Sequence, residues 1–330
     1  MKFIYLFLLA MIGSGAVSLF QAKVWTVDNN TGSAWANFTN LDTAQYRAVN
    51  GDTLLISGSP NSYGSFNITK QLKLFGPGYL FAENQIASPT GYSAILGNIQ
   101  ILVSNVTLMG LSFGGITISS GNAVQLQNNI ISRCRISSNV TITNSSNIQF
   151  TRNLCSGSLY INQSQIPSNI KVIGNYFGGG IQEAASDTSN NSIEIANNIF
   201  AGTSRLYQEQ LKNCIFTNTA ASIITGTNPD FRNNICTGSQ LPATNGNQLN
   251  VNMNDVFILT GSEDGKFLLK QASPAIGAGL GGVDIGMYGG TDPYVISGLP
   301  PIPFIYQMNI IPSGTSESGI PVTVKIRAIN

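Results

Sequence analysis

Four carboxylates in the second half of the sequence are the side chains whose type could support catalysis. They are Glu183, Asp187, Glu194 and Asp230. Two converging carboxylates can act as a general acid and a general base. None of the four stands in an Asp-x-Asp or Asp-Asp cluster, and the sequence contains no histidine, the commonest general base. We therefore assign no catalytic residue and keep the four carboxylates only as candidates.

A second set of side chains has the chemistry of saccharide binding. It comprises Tyr160, Tyr176, Tyr207, Gln149 and Lys171. Aromatic rings pack on sugar rings, and amide and ammonium groups hydrogen-bond to hydroxyls. For each tyrosine, packing within the fold is the alternative role. Lys171 stands in the repeat position that Glu194 occupies one repeat later, so a surface ion pair worth about 0–1 kcal/mol is the simplest interpretation of that pair.

A repeat positions most of these side chains. Residues 146–157, 168–179 and 191–202 share the pattern Ile-x-apolar-x-x-Asn-x-(Phe/Cys)-x-Gly, with asparagines 22 and then 23 residues apart. A fixed period of this length marks a solenoid, in which no repeat buries its apolar face alone. Within each repeat, apolar and polar residues alternate as in a strand, and the unit is too short for a strand, a helix and a second strand. We predict an all-β parallel β-helix of about ten coils.

The recurring asparagines predict a ladder along one bend of the solenoid. Its members are Asn153, Asn175, Asn198 and Asn234. Asparagine tolerates the left-handed backbone of a tight bend, and stacked asparagine side chains can hydrogen-bond to one another. A strand, an asparagine at a bend and a short apolar strand resemble the asparagine ladder of the pectate lyase-like superfamily. This resemblance implies a right-handed helix.

The N-terminus has the pattern of a signal peptide followed by a cap. Residues 1–22 contain Lys2, an apolar run over 3–12 and then small residues, so we expect export to the medium or the outer cell surface. Residues 38–49 predict a helix with Thr39 or Asn40 as its N-cap. The first coil would otherwise expose apolar surface and unpaired backbone, so we expect this helix to cover it.

The β-helix is expected to occupy residues 23–291. Phe267-Leu268-Leu269 and Ser273-Pro274-Ala275-Ile276, followed by Asp284-Ile285-Gly286-Met287-Tyr288, resemble the end of the β-helix in the choice-of-anchor Q family of secreted, Bacteroidetes-type proteins. The resemblance implies that this motif forms the last coil. Residues 292–330 then predict a Pro-rich linker and a β-hairpin tail with strands over 304–311 and 320–328.

Composition excludes several classes of partner. The formal net charge is +1, and only 9% of the residues are charged, so no electrostatic attraction to nucleic acid or to an anionic membrane is expected. No stretch after the signal peptide is long and apolar enough to span a membrane. The four cysteines lack a CxxC spacing, so we expect packed free thiols and no metal site.

We therefore expect an exported, non-catalytic protein of the cell surface or envelope that binds a glycan or a protein partner, or has a structural role. The alternative is a polysaccharide lyase or a glycoside hydrolase of the pectate lyase-like superfamily. No cofactor is expected, except Ca²⁺ if the lyase alternative holds. The resemblance implies fold residues only, because no catalytic residue of that superfamily has a counterpart here.

Overall fold

The structure is a computed structural model that describes residues 21–86, 91–121, 124–162, 169–183, 193–206, 210–219, 223–225, 230–310, 313–317 and 319–328. The predicted signal peptide, apart from its last two residues, lies outside the described residues, as do Asp187 and Tyr207. The described residues form a right-handed parallel β-helix of about seven turns, which confirms the predicted fold class.

Three parallel sheets line the solenoid. In the described residues the long sheet contains ten strands: Val24–Val27, Thr53–Ile56, Lys73–Phe75, Thr107–Met109, Ile130–Ser132, Ile148–Thr151, Ile170–Ile173, Ile193–Ala196, Gln210–Lys212 and Asp230–Arg232. The short sheet has seven described strands of two residues each: Ser112–Phe113, Arg135–Ile136, Leu154–Cys155, Tyr176–Phe177, Ile199–Phe200, Ile215–Phe216 and Ile235–Cys236. The third sheet has eight within the same ranges: Phe66–Ile68, Ile99–Ile101, Ile116–Ile118, Val140–Thr143, Leu159–Asn162, Ile181–Glu183, Ser204–Leu206 and Ile223–Thr225. The prediction of about ten coils is therefore too high for the β-helix as a whole, which has about seven turns, although the long sheet contains ten described strands.

Equivalent side chains stack inside the solenoid. On the long sheet, Phe150, Val172 and Ile195 are in register on successive strands and are completely buried. On the short sheet, the ring centroids of Phe177 and Phe200 lie 5.5 Å apart. The core is therefore a set of parallel apolar columns, and each turn of the helix adds one residue to every column.

The asparagine ladder is confirmed. Oδ1 of Asn175 accepts a hydrogen bond from the backbone N–H of Asn153 at 2.8 Å, and Oδ1 of Asn198 accepts one from that of Asn175 at 2.9 Å. The Nδ2 group of each of these three buried asparagines donates to a backbone carbonyl one turn earlier. The ladder continues through Asn234 to Asn247, which lies beyond the predicted repeat.

The left-handed backbone lies one residue before the ladder position, so the prediction that the ladder asparagines adopt it is wrong. The φ angle is 57° at Arg152, 69° at Gly174 and 54° at Asn197. These residues make the sharp bend with their side chains outside the core, so several residue types are accepted there. The following residue points into the core, where an asparagine amide satisfies backbone groups of the previous turn, although a thiol takes its place at Cys214.

The predicted capping helix spans Leu41–Arg47, and Oδ1 of its N-cap Asn40 accepts a hydrogen bond from the Thr43 N–H at 2.8 Å. Leu41 and Ala44 are buried in the core cluster of the first coils. Gln45 hydrogen-bonds through both ends of its amide to the backbone at the end of the third sheet. The helix therefore covers apolar surface and satisfies backbone groups at the open end of the solenoid.

Residues 251–299 run back along the outside of the short sheet, and we call this segment the strap. It contains the helix Met253–Val256 and the 3₁₀ turns Gly265–Phe267 and Ile296–Gly298. Apolar side chains of the strap pack on the outward residues of the short sheet. The buried residues of this cluster include, from the strap, Phe257, Phe267, Ala275, Ile285 and Met287 and, from the sheet, Leu154, Ile199, Ile215 and Ile235.

The motif expected to form the last coil belongs to this strap, so that prediction is wrong. The last strands of the long and short sheets end at Arg232 and Cys236, before the motif begins. The physical reason is that the short sheet has an outward apolar column as well as an inward one, and the outward column needs a cover. Ala275 and Ile285 of the motif supply part of that cover.

A buried carboxylate fastens the strap to an early turn. Asp264 is fully buried, and its Oδ2 accepts hydrogen bonds from the Tyr294 hydroxyl at 3.1 Å and the Ser297 N–H at 2.8 Å. Its Oδ1 accepts one from Nδ2 of Asn84 at 2.9 Å. The Tyr294 hydroxyl also lies 2.8 Å from that of Tyr79. This network joins residues about 180 or more positions apart in the chain.

The C-terminal tail forms the predicted hairpin, with antiparallel strands Phe304–Ile310 and Val322–Arg327. Val322, Val324 and Ile326 alternate along its second strand and are exposed. No helix within the described part of the chain has the length and apolar character needed to cross a membrane.

Replacing a ladder asparagine should destabilise the protein strongly. Asn175→Ala leaves the buried Asn153 N–H and Phe150 carbonyl without their partner, at about 1–3 kcal/mol for each group. Urea denaturation measures the loss, and Asn67→Ala, which removes an exposed amide from the third sheet, should cost under about 0.5 kcal/mol. Equal denaturation midpoints for the two variants would contradict the structural role of the ladder.

Removing the strap carboxylate should loosen the strap more than the coils. In Asp264→Ala, the Tyr294 hydroxyl and the Ser297 N–H lose a charged acceptor, for which we expect a loss of about 3 kcal/mol. Hydrogen exchange of residues 257–299 should rise relative to that of the long sheet. The exposed Asp255→Ala variant is the control. Unchanged strap protection in Asp264→Ala would show that apolar packing alone holds the strap.

Candidate functional site

The three candidate carboxylates that lie in the described residues do not converge on one face. Glu194 and Asp230 point outward from the long sheet, with Gln210 in register between them, so their strands are about 9.5 Å apart. Glu183 lies on the third sheet in register with Ile161, and it faces the core with 3% of its surface exposed. Asp187 lies outside the described residues.

Glu194 and Asp230 each have a cationic partner. Oε1 of Glu194 lies 2.9 Å from Nζ of Lys212, and Oδ1 of Asp230 lies 2.7 Å from Nε of Arg232. The register of Lys171 with Glu194 is confirmed, but the predicted ion pair between them is wrong because Glu194 pairs diagonally with Lys212 on the following strand. Lys171 has no salt bridge to any described residue.

The predicted saccharide-binding residues are divided among the three sheets. Tyr160 points outward from the third sheet, in register with Gln182 on the next strand. Tyr176 lies on the short sheet, where its ring stacks on Phe267 of the strap with centroids 4.6 Å apart, and burial raises its pKa. The packing alternative therefore applies to Tyr176. Tyr207 lies outside the described residues.

Gln149 and Lys171 remain together, within a row of polar side chains on the outward face of the long sheet. This polar row consists of Gln149, Lys171, Glu194, Gln210 and Asp230, in register on five successive strands. Gln149, Lys171 and Gln210 are exposed, and the two carboxylates are partly exposed. Amides, an ammonium group and carboxylates therefore follow one another at about 4.8 Å intervals on one surface. All of these groups can form hydrogen bonds with the hydroxyl groups of a ligand.

A cleft of about 200 Å³ lies between the polar row and the strap. Glu194 and Lys212 line its sheet side, and Thr291 and Asp292 line its strap side. The Asp292 carboxylate accepts a hydrogen bond from the Arg152 guanidinium, so charges of both signs border the cleft. Sequence reasoning missed Asp292 because it is 140 positions from Arg152 and outside the repeat, and no spacing in the sequence signals their contact.

The four thiols are free and buried. Burial raises the pKa of Cys134, Cys155 and Cys214 to about 12. Cys214 occupies a ladder position, and its Sγ accepts a hydrogen bond from the Asn198 N–H at 3.4 Å. The thiolate is the nucleophile and the metal ligand, so these cysteines act as packing residues. Across the described ranges, no three or more His, Cys, Asp or Glu side chains are grouped to hold a metal ion.

No known family model and no curated protein sequence matches this chain. The assignment of the parallel β-helix fold is therefore based on the structure. The resemblances to the pectate lyase-like superfamily, to the end of the choice-of-anchor Q helix and to Bacteroidetes-type proteins stay predictions.

The thiols should be unreactive in the folded protein. A thiol with a pKa of about 12 is ionised to about one part in ten thousand at pH 8. The ionised fraction rises tenfold with each unit of increasing pH until the pH approaches that pKa. Native protein at pH 8 should not reduce Ellman's reagent, whereas protein in guanidinium chloride should release four equivalents of thionitrobenzoate. Fast labelling of any cysteine in native protein would contradict the burial of these columns.

Proposed function

We propose that this chain is an exported, non-catalytic β-helix protein of the cell surface or envelope that binds a glycan through the polar row. The observation that carries the proposal is the register of Gln149, Lys171, Glu194 and Gln210 on neighbouring strands of an exposed face. A row of hydrogen-bonding groups with a constant spacing suits an extended polymer that also repeats.

Lys171 favours an anionic glycan. Its ammonium group is exposed and has no salt-bridge partner in the described residues, whereas the neighbouring Glu194 is neutralised by Lys212. A uronate carboxylate placed beside Lys171 would supply the missing partner, and Gln149 would donate to or accept from the adjacent hydroxyls. The polar row therefore places one available cation between the amide of Gln149 and the ion-paired carboxylate of Glu194, with the amide of Gln210 one strand further on.

The surroundings of the carboxylates support a non-catalytic role. Glu194 and Asp230 are partly exposed, and each forms an ion pair with a cation of the same sheet. Gln210 lies in register between them, so their strands are about 9.5 Å apart, and the two carboxylates do not converge on one point.

Export is proposed from residues 1–22, whose composition is that of a signal peptide. The low charge, the apolar columns and the solenoid fold are compatible with a rod-like domain that presents one face at a cell surface.

The test is retention on polysaccharides. Full-length chain is expressed in an exporting host, and the recovered protein is run in affinity gels containing polygalacturonate, alginate, xylan or glucomannan, with and without Ca²⁺. Lys171→Ala should weaken retention on an acidic polymer by about fivefold to tenfold. Arg205→Ala is the matched control, because it removes an exposed cation from the third sheet.

Three results would overturn the proposal. Equal retention of wild type, Lys171→Ala and Arg205→Ala would exclude the polar row as the binding face. New reducing ends or unsaturated-uronate absorbance would exclude a non-catalytic role and would favour the lyase or hydrolase alternative, with Ca²⁺ dependence distinguishing a lyase. Absence of retention on every polymer would favour a protein partner or a structural role.

A further inference from the structure

A second cleft lies at the opposite end of the chain, beside the capping helix. Its volume is about 590 Å³, larger than that of the cleft at Glu194. Its lining residues all belong to the segment 30–43, and none of their side chains is charged. Six of them carry an amide or a hydroxyl group: Asn30, Ser33, Asn37, Thr39, Asn40 and Thr43. The cleft is thus neutral and rich in hydrogen-bonding groups.

An exposed tryptophan lies within the same segment. Trp35 is not itself a lining residue, but its neighbours in the chain, Ala34 and Ala36, both line the cleft, and 65% of the surface of Trp35 is exposed. The other tryptophan of the chain, Trp25, is partly buried: its ring packs on Phe38, and its Nε1 donates to Asp52 at 2.8 Å. A large exposed indole beside a polar cleft is therefore not explained by packing.

The segment around the cleft is held in one conformation. The backbone of Phe38 exchanges hydrogen bonds with the first strand of the long sheet, through the Asp28 N–H at 2.9 Å and the Thr26 carbonyl at 3.1 Å. Oδ1 of Asn37 accepts from the N–H and the hydroxyl of Thr26. The Ser33 hydroxyl donates to the Asp28 carbonyl at 2.9 Å. These contacts fix the loop before any ligand arrives, which lowers the entropic cost of binding.

We infer that this cleft, with Trp35, is a binding site for a neutral saccharide. In this site the indole of Trp35, at the edge of the cleft, is the apolar surface on which a pyranose ring packs. The Nδ2 groups of Asn37 and Asn40 and the hydroxyls of Thr39 and Thr43 are partners for the hydroxyls of the sugar. The uncharged lining disfavours uronates and phosphates, because an anion would leave water without a compensating cation. The site is independent of the polar row, which has a different ligand charge and lies on later turns of the solenoid.

The experiment uses protein recovered from an exporting host and titrates it with cellotetraose, mannotetraose, maltotetraose and trigalacturonate. Tryptophan emission and isothermal calorimetry report binding. At least one neutral tetrasaccharide should shift the emission, and trigalacturonate should not compete with it. Trp35→Ala should weaken this binding at least about tenfold, and Thr39→Val should weaken it less.

Two controls separate binding at the cleft from effects of substitutions elsewhere on the surface. Tyr46→Ala removes another exposed aromatic ring, 77% exposed on the capping helix and outside the cleft lining, and it should bind like wild type. Arg205→Ala, which removes an exposed cation from the third sheet, should also bind the neutral ligand like wild type. Circular dichroism and the melting temperature establish that each variant folds. No binding of any neutral tetrasaccharide, or equal affinity in wild type and folded Trp35→Ala, would overturn the inference.

Discussion

The register of parallel strands, each placed directly above its equivalent one turn earlier, is the constraint on which the whole structure depends. It is fixed at one bend by the asparagine ladder, where each amide accepts from a backbone N–H and donates to a backbone carbonyl of the turn before it. A shift by one residue would replace the ladder asparagines by their neighbours in the chain, such as Leu154 or Ile199, and leave buried donors unpaired. Because the ladder holds the turns in phase, the apolar columns stack, and so do the outward rows that form the surface.

Stacking also explains why the short sheet needs a cover. Its strands are only two residues long, and in most of them both residues are apolar, as in Tyr176–Phe177 and Ile199–Phe200. One residue of each pair fills the core, and the other forms an outward apolar column that the strap buries. The polar attachment of the strap at Asp264 compensates for the lack of a backbone ladder between strap and sheet.

Sequence reasoning succeeded where an interaction repeats and failed where it occurs once. The ladder, the inward columns and the N-cap at Asn40 follow from local pattern, and all three are present. The position of Ala275 and Ile285 on the outside of the short sheet does not follow from local pattern. The strands of that sheet did carry one signal: two consecutive apolar residues indicate a strand that is buried on both faces. The contacts of Arg152 with Asp292 and of Asn84 with Asp264 have no sequence signal, because each joins distant segments through a single hydrogen bond. The sequence alone leaves Tyr176 as either a saccharide-binding residue or a packing residue. The stacking of Phe267 on its ring decides for packing.

The outward faces of the solenoid therefore differ in how far packing explains their residues. The outward column of the short sheet is explained by packing, since the strap buries it. The polar row of the long sheet has no such explanation, because Gln149 and Lys171 contribute nothing to the core, and any polar residue would keep the strand soluble. An exposed cation without a partner among the described residues also adds little to stability. The choice of amide, ammonium and amide at Gln149, Lys171 and Gln210 is thus not constrained by folding, and this freedom from structural constraint is the physical reason to look for a ligand on that face.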